Sequence, residues 1–282
     1  MGSDKQANFN LVGVVVVRNF ADSGGRCLVV VVNNSETAVE VKGLSFSYPE
    51  GPEVLRGINF SVARGETAVI LGPNGAGKST LCLCLMGIFS FQGIIKIFGQ
   101  ELTPKTARHL RSRMGLVFQD PNDQLFLPRV KDELAFGPLN QAWPEEKIEQ
   151  KVKEILSKFG LSGYDHRLIS HLSLGEKKKV ALAAVVILEP DIILLDEPTA
   201  SLDYRSRRNF LHHLASLNQT KIIATHDLEL AWELGQQIII IDQGRLIASG
   251  PRNKVLLNER LLQNHGLDVP LTARLRAWPK NS

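Results

Sequence analysis

The chain has 282 residues, 44% hydrophobic and 22% charged, enough apolar material for one or two globular domains with a sizeable core. Its net charge of +4 and pI near 9.0 are mild and the basic residues are scattered, which speaks for a mixed solvated surface rather than a nucleic-acid-binding one. Three cysteines, Cys27, Cys82 and Cys84, form no CxxC pair, and the histidines show no ligand spacing with them. This speaks against a disulfide framework and a zinc site, and a reduced, cytosolic setting is expected.

The longest apolar run, Val180 to Leu188, has the length of a core helix. It falls well short of the roughly 20 residues that span a bilayer. The N-terminal run Leu11 to Val17 ends at Arg18 and lacks the basic leader and small-residue cleavage site of a signal peptide. The chain is read as soluble, reaching a membrane only through partners. Residues 1–37 stand apart from the rest. Their valine runs, Val14–Val17 and Val29–Val32, flank the turn-like ADSGG, so a hairpin is one reading; an extension without function, or a start assigned too far upstream, is the other.

From Ala38 the pattern is regular. AVEVKGLSFSY alternates as a strand, PEGPEVLRG is expected to be a turn-rich connection, and INFSVARGE a second strand and turn. TAVILG is a short buried strand running into a glycine turn, KSTLCLCLMGIF a helix with Cys82 and Cys84 as small apolar fillers, and GIIKIFGQEL a strand and turn. Residues 120–185 are richer in helical pattern. PEEKIEQKVKEILSKFG, for example, starts on Pro144 and acids and stops at Gly160. DIILLDEP, KIIATHD and QIIIIDQG are three further short strands separated by helical segments. Such alternation implies a parallel sheet covered on both faces.

GPNGAGKST, Gly72 to Thr80, fits the phosphate-loop pattern, with a strand before it and a helix behind. Glycine lets backbone N–H groups curl around phosphate oxygens, Lys78 can reach the β- and γ-phosphates, and the Ser79 hydroxyl can ligate Mg²⁺. IILLDEP places Asp196 and Glu197 at the carboxyl end of a strand, where open α/β sheets bind ligands. Asp196 suits a Mg²⁺ contact; Glu197 suits a base that takes a proton from water attacking a γ-phosphate. HLSLGEKKKVALAA, His171 to Ala184, looks like a helix start that favours an anion. A chain with a complete phosphate loop thus carries a second phosphate-seeking feature.

Together these pieces resemble the ATP-binding subunit of an ABC transporter. Gln119 in VFQDP resembles the glutamine of the Q-loop, LSLGE the LSGGQ signature, ASLD with Asp203 the D-loop, His226 in IIATHD the switch histidine, and Tyr48 the aromatic that stacks on adenine. The resemblance implies an α/β P-loop NTPase (RecA-like) core with an antiparallel β-subdomain and a helical insert at about 120–185, of the ABC-ATPase type. The ATPase domain would run over 38–269, with a tail at 270–282. ATP and Mg²⁺ are the implied cofactors. Tyr48, Gly72, Pro73, Asn74, Gly75, Ala76, Gly77, Lys78, Ser79, Thr80, Gln119, Asp196 and Asp203 would bind nucleotide. Ser79, Gln119 and Asp196 would hold Mg²⁺, and Glu197, His226 and Gln119 would serve catalysis. In this family two subunits sandwich each ATP head to tail, so Ser173 and Gly175 would act on the nucleotide of a partner subunit.

Two departures from the signature stand out. Leu174 replaces its first glycine and must use ordinary φ; Glu176 replaces its glutamine and adds negative charge near phosphate, offset by Lys177, Lys178 and Lys179. The segment Val117 to Asn140 and the tail LLQNHGLDVPLTARL resemble the energy-coupling factor group and its cobalt/nickel importer relatives. In that group a second ATPase subunit, a membrane coupling protein and a membrane substrate-binding protein are the partners, at the cytoplasmic face of the membrane. Phe126, Leu127, Phe136 and Leu139 then either line a groove for the coupling protein or form the insert's own core. The implied function is ATP-driven import of a metal ion such as cobalt or nickel, or of a vitamin. The rival reading is a soluble ABC ATPase acting on nucleic acid or the ribosome, but the chain has neither the heptad arms nor the paired cassettes of such relatives. No nucleic-acid partner is expected.

Overall fold

The computed structural model describes residues 37–277; the readings for residues 1–36, including the valine hairpin and Cys27, lie outside them. In chain order the elements are β1 (Thr37–Ser47), β2 (Glu53–Ala63), β3 (Thr67–Leu71), α1 (Lys78–Leu85), β4 (Gln92–Ile97), β5 (Gln100–Glu101), α2 (Ala107–Arg111), β6 (Met114–Val117), α3 (Val130–Asn140) and α4 (Glu145–Lys158). They continue with α5 (Leu174–Val186), β7 (Ile192–Asp196), α6 (Tyr204–Ala215), β8 (Thr220–Thr225), α7 (Leu228–Leu234), β9 (Gln237–Asp242), β10 (Arg245–Pro251), α8 (Arg252–Val255), α9 (Glu259–Gln263) and α10 (Leu271–Ala277).

Two sheets organise these elements. A four-stranded antiparallel sheet has the order β2-β1-β4-β5, and a six-stranded sheet the order β10-β9-β3-β8-β7-β6. In the second sheet β9, β3, β8, β7 and β6 run parallel, and β10 closes the edge antiparallel to β9. The parallel strands are apolar on both faces because both faces are covered. In β3, Val69 and Leu71 join a core with the helices from α3 to α7, while Ala68 and Ile70 join a core with α1 and the antiparallel sheet. The period of two in side-chain direction makes that division.

The region of helical pattern holds α3, α4 and α5. Helix α4 buries Ile148, Val152, Ile155 and Leu156, one stripe of its surface, starts after Pro144 with two acids in its first turn, and ends before Gly160 at φ 63. One expected connection is corrected: EVLRG is not a turn but the first half of β2, pairing with β1 as Ser47↔Glu53 and Phe46↔Leu55. Register shifts flank those pairs, and the irregular ladder breaks the alternation that would mark a strand.

Candidate functional site

The phosphate loop joins β3 to α1, and its last residue, Gly77, caps the helix at φ 100. That backbone region suits glycine, and a Cβ there would stand 2.8 Å from Leu55 Cδ2. No side chain caps α1, so its first N–H groups are left for a ligand. Lys78 is buried at 6% exposure; its Nζ donates to the carbonyls of Gly72 (2.9 Å) and Pro73 (3.1 Å) and lies 3.7 Å from Glu197 Oε1. At the other end of the motif the Thr80 hydroxyl lies 3.2 Å from the Tyr48 hydroxyl. Tyr48 is held edge-on by Phe46 (4.9 Å) and Phe89 (5.5 Å) and remains 43% exposed, which leaves ring surface for a stacked base.

Strand β7 delivers the two acids. Asp196 is half-buried, and its Oδ1 has no hydrogen-bond partner. Burial holds its carboxyl above the usual aspartate range, and the Ser79 hydroxyl offsets only part of that rise. A buried oxygen without a partner beside a hydroxyl is a fitting place for a hard divalent cation, whose ligands are oxygens. Glu197 is 6% exposed and fully engaged: Oε2 accepts from Thr225 Oγ1 at 2.9 Å and Oε1 meets His226 Nδ1 at 2.8 Å. Its backbone has φ 42, a region an L-residue occupies only when its surroundings hold it there. Val54, Asn74, Gly75, Lys78, Gln119, Glu197 and His226 line one open cleft of about 470 Å³. Gln119, expected to bind Mg²⁺, is thus brought to the same cleft as Lys78 and Glu197.

The second phosphate-seeking feature forms as a helix start. Ser173 caps α5 in a full capping box with Glu176. The Ser173 N–H and Oγ both donate to Glu176 Oε2 at 2.8 Å, and Tyr164 OH donates to Glu176 Oε1 at 2.6 Å. These bonds hold the Glu176 carboxyl below the usual glutamate range. Leu174, the first residue of α5, is absent from the positive-φ residues, as expected of a leucine. Gly175 allows α5 to approach α6: a Cβ there would lie 2.8 Å from Ser206 Oγ. Asp203, expected to touch nucleotide, spends its carboxylate on the cap of α6, accepting from Ser206 N (2.9 Å) and Oγ (2.6 Å).

Residues 55–200 match the family model described as ABC transporter. The chain is 45% identical over 235 residues to a putative ABC transporter ATP-binding protein, gll0289, of Gloeobacter violaceus, covering 82% of this chain and 96% of that one. The chain belongs to the ATP-binding subunits of ABC transporters. This ABC ATPase is also 41% identical over 243 residues to the energy-coupling factor transporter ATP-binding protein EcfA of Methanothermobacter thermautotrophicus, covering 84% of this chain and 78% of that one. Among solved structures it is similar to cbiO1 from Clostridium perfringens, described as part of the ABC transporter complex cbiONQ. The TM-score is 0.74 at 33% identity, covering 86% of this chain and 99% of that one.

Three features of the ABC ATPase were hidden from sequence reasoning or left open by it. Thr225, which bonds the Glu197 carboxylate, is adjacent to His226 in ATHD and could have been found from that neighbourhood. Lys178 was expected to help offset Glu176, yet its ammonium is turned inward and buried against the carbonyls of Glu197 and Pro198; of the three lysines it is Lys179 whose charge acts on Glu176. The place of Phe126, Phe136 and Leu139 is decided: at 63%, 40% and 59% exposure they are a surface patch and not the core of the insert, with the Phe126 and Phe136 rings edge-on at 4.8 Å. Leu127 is half-buried beside them. The backbone N–H groups of Phe126 and Leu127 donate to Glu133 Oε2, which fixes the loop that carries the patch. No helix among the described residues is long and apolar enough to cross a membrane.

Proposed function

We propose that this ATPase works as one half of a head-to-tail dimer and drives import of a small solute through a membrane coupling protein. The observation that carries the reading is the division of labour within one chain. The cleft lined by Lys78, Ser79, Gln119 and Glu197 is equipped for a nucleotide, while Ser173 and Gly175 start a different helix and are not among the residues that line it. A second subunit gives that helix start a phosphate to meet.

The adenine stacks on Tyr48, and the phosphates lie against the amides from Gly72 to Thr80. Lys78 exchanges the Gly72 and Pro73 carbonyls for β- and γ-phosphate oxygens. Ser79, Gln119 and Asp196 would hold Mg²⁺, which would supply positive charge to offset that of the phosphates. The partner's Ser173 and the partner's Gly175 complete the γ-phosphate site with a hydroxyl and an N–H. Glu197 accepts the proton of the attacking water, Thr225 fixes its other oxygen, and His226 orients it from the 2.8 Å contact while its far nitrogen faces the γ-phosphate. Asp203, through the cap of α6, supports the surface on which Gly175 rests.

The ATPase domain is read as residues 38–269, with the tail and the N-terminal extension outside the catalytic work. The partners are a second ATPase subunit of the same or a related sequence, a membrane coupling protein that seats on the Phe126–Phe136 patch, and a separate membrane protein that selects cargo. The protein then sits at the cytoplasmic face of the membrane. Relatives named as energy-coupling factor subunits, and the likeness to a member of the cbiONQ complex, support this reading; the resemblance of Val117 to Asn140 to cobalt/nickel importers puts those metals ahead of a vitamin as cargo. These relatives are transporter subunits, which speaks against the nucleic-acid reading. Sedimentation of the Glu197→Gln chain tests the dimer: MgATP shifts it from monomer to dimer, and a sedimentation coefficient unchanged by MgATP contradicts the reading.

A further inference from the structure

Helix α5 begins at the start of the signature, but its inner side reaches the base of the chain's own cleft. Lys178 lies one turn beyond the Ser173 cap and is only 3% exposed. Its Nζ donates to the carbonyl of Glu197 at 3.2 Å and to that of Pro198 at 3.0 Å. The carboxylate of Glu197 is occupied by Thr225 and His226, so the ammonium is held by carbonyls and not by an ion pair. A cation buried in this way is costly where an apolar side chain would not be. The cost shows in its acidity: burial brings the ammonium down to about 8, against the pull of Glu197 and Asp120.

The peptide it grips needs a grip. Glu197 sits at φ 42, and among the described residues its carbonyl otherwise receives only the Ala200 N–H at 3.1 Å. We propose that Lys178 is a positioning residue for Glu197: the signature helix, through this ammonium, fixes the peptide that carries the base of its own chain's site. One rigid helix then touches both nucleotides of a dimer, the partner's through Ser173 and its own through Lys178. Closure on one nucleotide is transmitted to the base that activates the water attacking the other. The inference rests on the reading of Glu197 as the base and of Ser173 as a contact to the partner's nucleotide.

The test compares parent, Lys178→Met, Lys178→Gln, Lys178→Arg and Glu197→Gln chains in steady-state ATP hydrolysis and in nucleotide binding. Lys221→Met is the control. Lys221 is a second buried lysine whose Nζ donates to the Leu217 and Gln219 carbonyls, away from the cleft. For Lys178→Met, and for Lys178→Gln should the former not fold, kcat falls by about tenfold to a hundredfold while nucleotide affinity stays within about twofold. Lys178→Arg, which can donate to both carbonyls, recovers most of the rate, and Lys221→Met leaves it unchanged. Parental kcat in both uncharged variants, or equal losses in kcat and affinity, overturns the inference. If Glu197→Gln itself keeps the parental rate, the base reading fails instead.

Mixed dimers locate the effect. With one chain Lys78→Ala and the other Ser173→Arg, a single intact site remains, built on the Lys78 and Glu197 of the second chain. Adding Lys178→Met to that second chain abolishes most of the remaining activity; adding it to the first chain does not. The reverse pattern would mean that Lys178 acts on the signature's hold of phosphate, and it overturns the inference.

Discussion

The hydroxyl of Ser173 donates to the carboxylate of Glu176 at 2.8 Å, so the side chain best placed to greet a partner's phosphate is already committed to an acid on its own helix. The capping box stabilises α5 by about 0.5–2 kcal/mol. It also sets a negative charge, held low by Tyr164 and Ser173, where phosphate must approach.

Glu176→Gln keeps most of the capping geometry and removes the charge. ATP-driven dimerisation of the Glu197→Gln background is expected to tighten by about threefold to tenfold in this variant, as relief of one like-charge contact near the surface predicts. Sedimentation at graded ATP concentrations measures it, and an unchanged or weaker dimer contradicts the prediction.

Glu197→Gln is expected to bind ATP with parental affinity and lose about 10²–10⁴ in turnover, the usual worth of a positioned base. Thr225→Val removes one neutral-to-charged hydrogen bond and should cost about 1.5–3 kcal/mol of its positioning, roughly tenfold to a hundredfold in kcat. Single-turnover hydrolysis separates these rates from binding. Normal turnover in the first variant removes Glu197 from the chemistry; normal turnover in the second makes Thr225 dispensable.

The lowered pKa of Lys178 gives a pH signature in stability. Its ammonium titrates near 8 in the fold against 10.5 for an ordinary lysine, so between these values the unfolded chain binds the more protons. Folding is therefore favoured as pH rises through that window, and below it the burial penalty is at full strength. The melting temperature of Lys178→Met relative to the parent is expected to be highest below pH 8 and to decline toward pH 10.5. A difference that is constant, or that grows with pH, contradicts this.

The coupling patch gives a prediction about transport alone. Phe126→Ser with Phe136→Ser changes exposed rings that do not line the cleft, so ATP hydrolysis by the isolated chain should stay within about twofold. Recovery of the membrane coupling protein with the ATPase in co-purification should fall by tenfold or more, as loss of paired aromatic anchors predicts. Equal recovery removes the patch from the interface.

What was legible in the sequence follows from how local each pattern is. Gly72 to Thr80 and Asp196–Glu197 are contiguous, each at the end of an apolar strand, so their chemistry could be read directly. The parallel sheet was legible for the same reason, since β3, β7, β8 and β9 each hold a run of at least three apolar residues. The four-residue edge strand β6 and the bulged start of β2 lack that signal. The bond from Lys178 to the Glu197 peptide spans 19 residues, and that from Thr225 to the Glu197 carboxylate spans 28; only the fold brings these groups together. Lys177, Lys178 and Lys179 look alike as a charge run, yet only Lys178 is fully buried.

The central claim is that each productive site is shared between two chains, and complementation tests it most directly. Lys78→Ala and Ser173→Arg chains, each inactive alone, are mixed and assayed for ATP hydrolysis. A random mixture places one intact composite site in the mixed dimers, so a substantial fraction of the parental rate should return and grow with the mixed-dimer fraction. A mixture as inactive as its components, at concentrations where the parent dimerises, contradicts the account.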